Sequence, residues 1–452
     1  MAETLQPVVT MDVGSPMRQC RFAPMNLGGQ RAFLVVHAGC AEDDPYHAMF
    51  FLPTDTLKLT AFDAAGRRMW QRDLGGGVIP GIWFCPVLVC DLDGDGCDEV
   101  WLVGNSDGDH PLNHERFVLE RLAGTTGQTL SQTPWPRVDG NQSTSHTFRN
   151  FLQSGLDGGR RRLITAQGTY GPMQLQCLDD QLQPVWSRTI PAAEPGARGS
   201  HMFPVIDLDG DGRDELLWGE RCIDIRDGHE RWVADRDGWP GHSDIIQPTR
   251  LADGRWVVYT CRESWRDIPG GVVMYDGLGR ELWGYREMGH VDMGWTARIG
   301  DGGEHACYAL LIGQKTAGPG GFQRGGMTEY LFDMAGRPLP AQFPLYGTLP
   351  VDLDGDGRHE LAYMTGQGQN PVLDRRGREI GRVQGAAIMG AKLLDRPGEQ
   401  LVTWDESGIV RMYAWAAATD SPAAVQRYAL PYYANSLKAA AVGYNRTNLG
   451  GV

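Results

Sequence analysis

Apolar and polar positions alternate along this chain in short runs. Stretches of four to eight residues rich in Val, Ile, Leu, Phe and Trp, such as VLVC ending at Cys90 and ELLWG from Glu215, are bounded by clusters of Gly, Asp and Asn. That is the period of strands separated by tight turns. The runs recur. CDLDGDGCDEVWLVG begins at Cys90, IDLDGDGRDELLWG at Ile206 and VDLDGDGRHELAYMTG at Val351. Asp91 and Asp207 are 116 residues apart, and Asp207 and Asp352 are 145 apart. Those gaps suit two and three units of about 50–58 residues, the size of large propeller repeats.

Degenerate copies fill the gaps: NLGGQRAFLVVHAG from Asn26, SGLDGGRRRLITAQG from Ser154, RLADGRWVVYTC from Arg250, RIGDGGEHACYALLIG from Arg298 and LLDRPGEQLVTWDESG from Leu393. Most are followed by a D-x-x-G-R-type turn and a strand ending near Trp, as in DAAGRRMW from Asp63 and DGLGRELW from Asp276. Turns of this kind between apolar runs are hairpin signals. Each unit therefore predicts four short antiparallel strands. The expected fold is all-β, a single closed β-propeller of eight blades over residues 1–452, with seven blades the alternative. Residues 1–22 are expected to hold a ring-closing strand. The Gly- and Asn-rich residues 435–452 are expected to wrap the outside.

Composition narrows the function classes. The net charge is −14 and the pI about 5.2, so the chain lacks the basic footprint of a nucleic-acid binder. No stretch approaches 18 apolar residues, so no membrane span is expected. The start of the chain has no basic segment followed by an apolar one, which reads as cytoplasmic, or as secreted if a leader has been trimmed. The nine Cys are scattered in strand-like runs without a close CxxC pair, and read as buried reduced thiols. Oligomeric state is not legible.

The acidic turns carry the first candidate chemistry. D-x-D-G-D-G-x-x-E places carboxylates at loop positions one, three, five and nine around one hard cation, like half of an EF-hand loop. The expected cofactor is Ca²⁺, held structurally by Asp91, Asp93, Asp95 and Glu99, by Asp207, Asp209, Asp211 and Glu215, and by Asp352, Asp354, Asp356 and Glu360. Three such ions would bring the net charge from −14 to −8.

The opposite face collects the loops that enter each innermost strand. A His precedes that strand in four successive blades, at His146, His201, His242 and His290. The last two belong to a repeated G-H-x-D, with Asp244 and Asp292. Four His in register point to one functional mouth. Loops after the second strands add Tyr46, His47, His110, His114, Tyr170, Arg262 and Lys315 as further candidates. No serine-hydrolase elbow, P-loop, zincin or dinucleotide fingerprint is present.

These residues resemble a known family. The DLDGDG turns on an eight-bladed propeller, GSHMFPVIDLDGDGRDELLWG running into RCIDIRDG, the segments GWPGHSDII and MGHVDMGW, and FRNFLQSGLDGGRRRLITAQGTYGP are similar to the family 11 polysaccharide lyases, the rhamnogalacturonan lyases. The resemblance is best over residues 60–300, and it departs at Ser243 and Val291, where the family motif has Gly. It implies an enzyme that cleaves a rhamnose–uronate linkage of an acidic polysaccharide or oligosaccharide by β-elimination. His201 or His242 would be the base, with His290 and His146 as further catalytic candidates and Tyr170 the acid. Arg149 or Arg262, with Lys315, would meet the uronate carboxylate. Asp244 and Asp292 would orient a His or hold a catalytic Ca²⁺. The alternatives are another carbohydrate-active propeller, such as a different uronate lyase or a glycoside hydrolase, and a non-catalytic calcium-dependent binding or adhesion propeller.

Overall fold

The D-x-x-G-R turns fold as the repeats require. Asp276 Oδ1 accepts the backbone N–H groups of Leu278 and Arg280, each at 2.9 Å, and Asp276 Oδ2 accepts Arg280 Nε–H at 2.9 Å. Asp63, Asp333 and Asp374 make the same turn with Arg67, Arg337 and Arg378. Each turn joins the third and fourth strands of one sheet. The computed structural model describes residues 5–43, 53–111, 113–137, 148–313, 315–318, 321–441 and 446–452, without the side chains of 315–318 and 321–324. These described residues form eight four-stranded antiparallel sheets, the blades of a β-propeller.

The innermost strands are Gln19–Leu27, Val87–Cys90, Asn150–Asp157, Val205–Ile206, Ser243–Arg250, Val291–Ala297, Thr348–Val351 and Ala386–Ala391, in blades one to eight. Burial falls from the axis outward. Val87–Cys90 and Ala386–Ala391 are buried throughout, whereas the fourth strands Arg68–Asp73 and Thr129–Pro134 have no buried residue. Both faces of an inner strand meet neighbouring blades, so its side chains are mostly apolar, and buried polar ones such as Arg21 and Gln247 donate to backbone carbonyls of the next blade. All nine Cys are free, and eight are buried, as the strand-like settings imply.

Trp residues clasp successive blades. The indoles of Trp70, Trp186, Trp232 and Trp283 donate to the backbone carbonyls of Gly124, Ile225, Gly277 and Met334 in the next blade. Each ring also lies flat on the Gly of that blade's turn. At Gly279, whose φ is +76°, an added Cβ would stand 2.6 Å from the Trp232 ring. Gly279→Ala is therefore expected to destabilise the protein by about 1–3 kcal/mol through crowding and left-handed strain, read as a lower denaturant midpoint at unchanged slope.

Ring closure comes from the N-terminus. Leu5–Asp12 pairs antiparallel with Ile409–Trp415 as the fourth strand of blade eight, which removes two sheet edges. The closing strand is shorter than residues 1–22, because Gln19–Leu27 is already the inner strand of blade one.

The C-terminal segment departs from expectation. It does not wrap the outside but packs inside the ring. Val89 N–H donates to Lys438 O and Ala440 N–H to Val87 O, while Asn435 Nδ2 donates to Ser154 O, all on inner strands. Arg250 N–H donates to Gly451 O, and Gln247 Nε2 lies 3.4 Å from Asn448 Oδ1. Leu437, Ala439, Ala440, Ala441, Leu449 and Val452 are all buried. The segment's small apolar residues suit a narrow channel, and Asn435 and Asn448 pair with groups on the inner strands. Two short helices, Pro422–Tyr428 and Pro431–Ser436, precede it. Among the described residues no helix is long and apolar enough to cross a membrane.

Candidate active site

The two G-H-x-D segments open the inner strands of blades five and six. In a strand, His and Asp two residues apart share a face. Here the register steps from Ser243 to Ile245 and from Val291 to Met293, so both Asp residues sit at a bulge. Bulges re-aim side chains beside functional sites, and the same device in adjacent blades explains the sequence repeat. Backbone ties then bring blade four alongside: Ser200 bridges Ser243, and Arg198 N–H donates to Gly241 O at 2.7 Å.

The result is one cluster on the face opposite the acidic turns. Asp244 Oδ1 lies 3.1 Å from His201 Nδ1 and 3.5 Å from His242 Nε2. The His201 and His242 rings are 4.3 Å apart. Arg149 Nη1 lies 2.9 Å from His201 Nε2 and must donate, which assigns neutral His201 the Nδ1–H tautomer facing Asp244. The Arg149 guanidinium also covers the buried Trp83 ring at 4.4 Å. Tyr170, in a left-handed conformation with φ of +67°, packs with its ring centroid 4.6 Å from that of His242 and the planes tilted by 36°, and donates its hydroxyl to Glu263 Oε2 at 3.2 Å. His290 Nε2 is 3.4 Å from Asp292 Oδ1 and 3.7 Å from Glu263 Oε1.

Burial sets the protonation. It pushes His242 down to about 4, so its imidazole is neutral near neutral pH. Burial, then the Glu263 carboxylate, hold the Tyr170 phenol well above its usual range, so it stays protonated. Among the described residues, three carboxylates (Asp244, Glu263 and Asp292) share the cluster with one guanidinium, that of Arg149.

Donor atoms of His201, His242, Asp244 and Glu263 lie within 4.8 Å of one another, and so do those of Glu263, His290 and Asp292. The His242 side chain is fully buried, and among the described residues its ring is poorly satisfied, with Nε2 3.5 Å from Asp244 Oδ1. Buried polar atoms are ordinarily satisfied, and a bound cation would satisfy these. His201 has its two ring nitrogens engaged by Arg149 and Asp244, which leaves the His242 imidazole with the Asp244 and Glu263 carboxylates, a mixed set that fits a borderline divalent ion better than an all-oxygen Ca²⁺ cage.

Several sequence-based candidates lie elsewhere. Arg262 does not face a ligand. Its side chain is 2% exposed and bonds Glu220 at 2.9 and 2.6 Å and Asp235 at 3.0 Å, because strand alternation turns it between blades. Arg149, also 2% exposed, stands behind His201 instead of lining the mouth. His110 is exposed and His114 packs edge-on to Phe148, away from the cluster. His146, Tyr46 and His47 lie outside the described residues, as does the Lys315 side chain. Lys315 begins the short strand Lys315–Gly318, in a hairpin between the second and third strands of blade six. Sequence reasoning did not single out Glu263, Trp83 or Trp265. Glu263 follows Arg262 directly, and alternation along that strand was the signal that could have found it.

The acidic turns sit between the first and second strands of blades two, four and seven. Three carboxylates converge in each: Asp91, Asp93 and Asp95; Asp207, Asp209 and Glu215; and Asp352, Asp354 and Asp356. The fourth expected ligand (Glu99, Asp211 or Glu360) falls outside each group. Glu99 and Glu215 already accept a loop N–H, from Leu92 and Leu208, and pair with Arg121 and Arg231. The all-oxygen donor sets fit Ca²⁺. Burial pushes Glu215 and Asp352 up to about 7.

No protein-family model matches the chain. Rhamnogalacturonan endolyase YesW of Bacillus subtilis (strain 168) is 27% identical over 282 residues, covering 54% of this chain and 44% of that protein. Rhamnogalacturonan exolyase YesX of the same organism is 26% identical over 344 residues, covering 68% and 54%. The chain thus spans about half the length of the curated relatives it matches. The crystal structure of exotype YesX superposes with a TM-score of 0.75 at 19% identity, over 100% of this chain and 85% of that one. The Bacillus licheniformis rhamnogalacturonan lyase PL11 gives 0.74 at 19%, over 98% and 81%. At those structural identities the fold alone is shared. In sequence the chain resembles the rhamnogalacturonan lyases, and in fold it is a β-propeller like theirs.

Proposed function

We propose that this protein is a polysaccharide lyase that cleaves a rhamnose–uronate linkage of rhamnogalacturonan type by β-elimination. The observation that carries the reading is the convergence of His201, His242 and His290 with Tyr170, Asp244, Glu263 and Asp292 on one face of the propeller. The similarity to the rhamnogalacturonan lyases YesW and YesX supports it.

The C5–H beside a uronate carboxylate is a weak acid, so the reaction needs a base, an acid and local positive charge. His290 is the base. Its side chain is 25% exposed, against 4% for His201 and 0% for His242, and Asp292 holds it. The C5 proton passes to His290, its electron pair becomes the C4=C5 double bond, and the C4–O4 bond breaks. Tyr170 gives its proton to O4. A divalent cation on His242, Asp244 and Glu263 would neutralise the uronate carboxylate and ease removal of the C5 proton. Arg149 fixes the tautomer of His201, and His201 orients Asp244. The acidic turns on the other face hold Ca²⁺ structurally.

Rhamnogalacturonan I and other rhamnose–glucuronate polymers, with and without a chelator, test the reading. Ultraviolet absorbance of the unsaturated uronate should rise with the parent chain and vanish in a folded His290→Ala variant. New reducing ends without absorbance would instead identify a hydrolase, and no product from any polymer would leave a binding propeller.

A further inference from the structure

Among the described residues the cluster described above sets three carboxylates against one guanidinium. An anionic chain needs positive charge that it can reach, and the two arginines expected to supply it, Arg149 and Arg262, are each 2% exposed and already engaged. Four residues beyond Arg262, the same loop turns back at the mouth of the site. Trp265 and Ile268 exchange both backbone hydrogen bonds at 2.9 Å, which makes a tight two-residue turn with Arg266 and Asp267 at its tip. Arg266 holds a φ of +51°, a strained setting for a residue with a side chain. It is exposed, and among the described residues it enters no ion pair; its guanidinium lies 5.6 Å from the Trp265 ring.

Trp265 is itself placed by the site. It is half-buried and stacks parallel to Tyr170, with centroids 5.9 Å apart and planes 5° apart. Its Cβ lies against Gly241 of the first G-H-x-D, where an added Cβ would stand 2.9 Å away. A bulkier residue at Gly241 would push the indole from this position. Arg266, Trp265 and Tyr170 therefore form a continuous rim of cation, indole and phenol leading to His242 and Glu263. Indole faces bind the apolar faces of sugar rings, and a guanidinium pairs with a carboxylate through charge-assisted hydrogen bonds.

We propose that Trp265 and Arg266 form a saccharide subsite at the mouth, in which the indole stacks on a sugar ring and Arg266 holds a uronate carboxylate. The subsite rests on the lyase reading for its place beside the chemistry, but its test does not depend on cleavage. Binding is measured by calorimetry in the Tyr170→Phe chain, which keeps the ring and suppresses turnover. The probes are rhamnogalacturonan I oligosaccharides and the same oligosaccharides with their carboxyl groups reduced to alcohols. The acidic form should bind about 10- to 100-fold more tightly, the weight of one charge-assisted pair. Arg266→Gln should reduce that preference and its salt dependence about tenfold or more, Arg266→Lys should restore part of it, and Trp265→Ala should weaken both probes. Thermal melting confirms that each variant is folded. Equal binding of the two probes by the Tyr170→Phe chain, or a preference undiminished by Arg266→Gln, would overturn the subsite.

Discussion

Tyr170→Phe is expected to lower the elimination rate by about 10²- to 10⁴-fold, the usual weight of a positioned proton donor. The substitution removes one oxygen and keeps the ring that packs against His242 and Trp265, at 4.6 and 5.9 Å. Folding should be unchanged, since the hydroxyl's partner Glu263 also faces His290. The loss should fall on kcat, with KM within a few-fold, because the phenol's proton is needed only as the C4–O4 bond breaks. A substrate whose leaving group requires no protonation should recover much of the rate. Both are read from unsaturated-uronate absorbance. An undiminished kcat in Tyr170→Phe would remove Tyr170 from the acid role, and a drop in melting temperature of equal severity would make it structural.

Arg427→Ala is expected to be the most damaging change away from the site, at about 3–5 kcal/mol. Arg427 belongs to the helix Pro422–Tyr428, its side chain is 4% exposed, and it ties that helix to blades seven and eight. Its Nη2 donates to Asp352 Oδ2 at 3.0 Å and Glu399 Oε1 at 2.9 Å, and its Nη1 lies 3.3 Å from His359 Nε2. Glu399 accepts the Tyr433 hydroxyl as well, at 2.6 Å. Removing the guanidinium strands two buried carboxylates whose side chains are 0% and 2% exposed. Burial already pushes Asp352 up to about 7 with Arg427 in place. Adding Glu399→Gln to Arg427→Met should return part of the loss, because it removes one uncompensated charge and keeps the volume. Denaturant midpoints measure both. A cost below about 1 kcal/mol for Arg427→Ala would mean that solvent reaches these carboxylates in the folded protein.

Much of the architecture is legible in the chain itself, for a local reason. A propeller blade is four strands in sequence order, so each repeat carries its own turns, alternation and inner strand. The D-x-x-G-R turns, the Trp that follows them and the acidic loops are all set within about ten residues. The G-H-x-D pair is equally visible, since equivalent loops of adjacent blades must emerge at the same face.

What the sequence by itself determined is the all-β repeat, a propeller of eight blades with seven left open, the face that holds the acidic turns and the paired G-H-x-D segments of His242 and His290. Only the tertiary structure decided which polar side chains meet. Arg262 and Glu263 are neighbours in sequence, yet strand alternation sends one between blades and the other to the site. His201 and His242 are 41 residues apart in number and have ring centroids 4.3 Å apart. The fate of residues 435–452 was likewise decided by the channel. Whether a Gly- and Asn-rich segment lies outside or inside depends on the width of the ring and the backbone groups lining it, and no local pattern encodes either. Local periodicity writes strands and turns into the chain, but burial and pairing between distant residues appear only once the ring is closed.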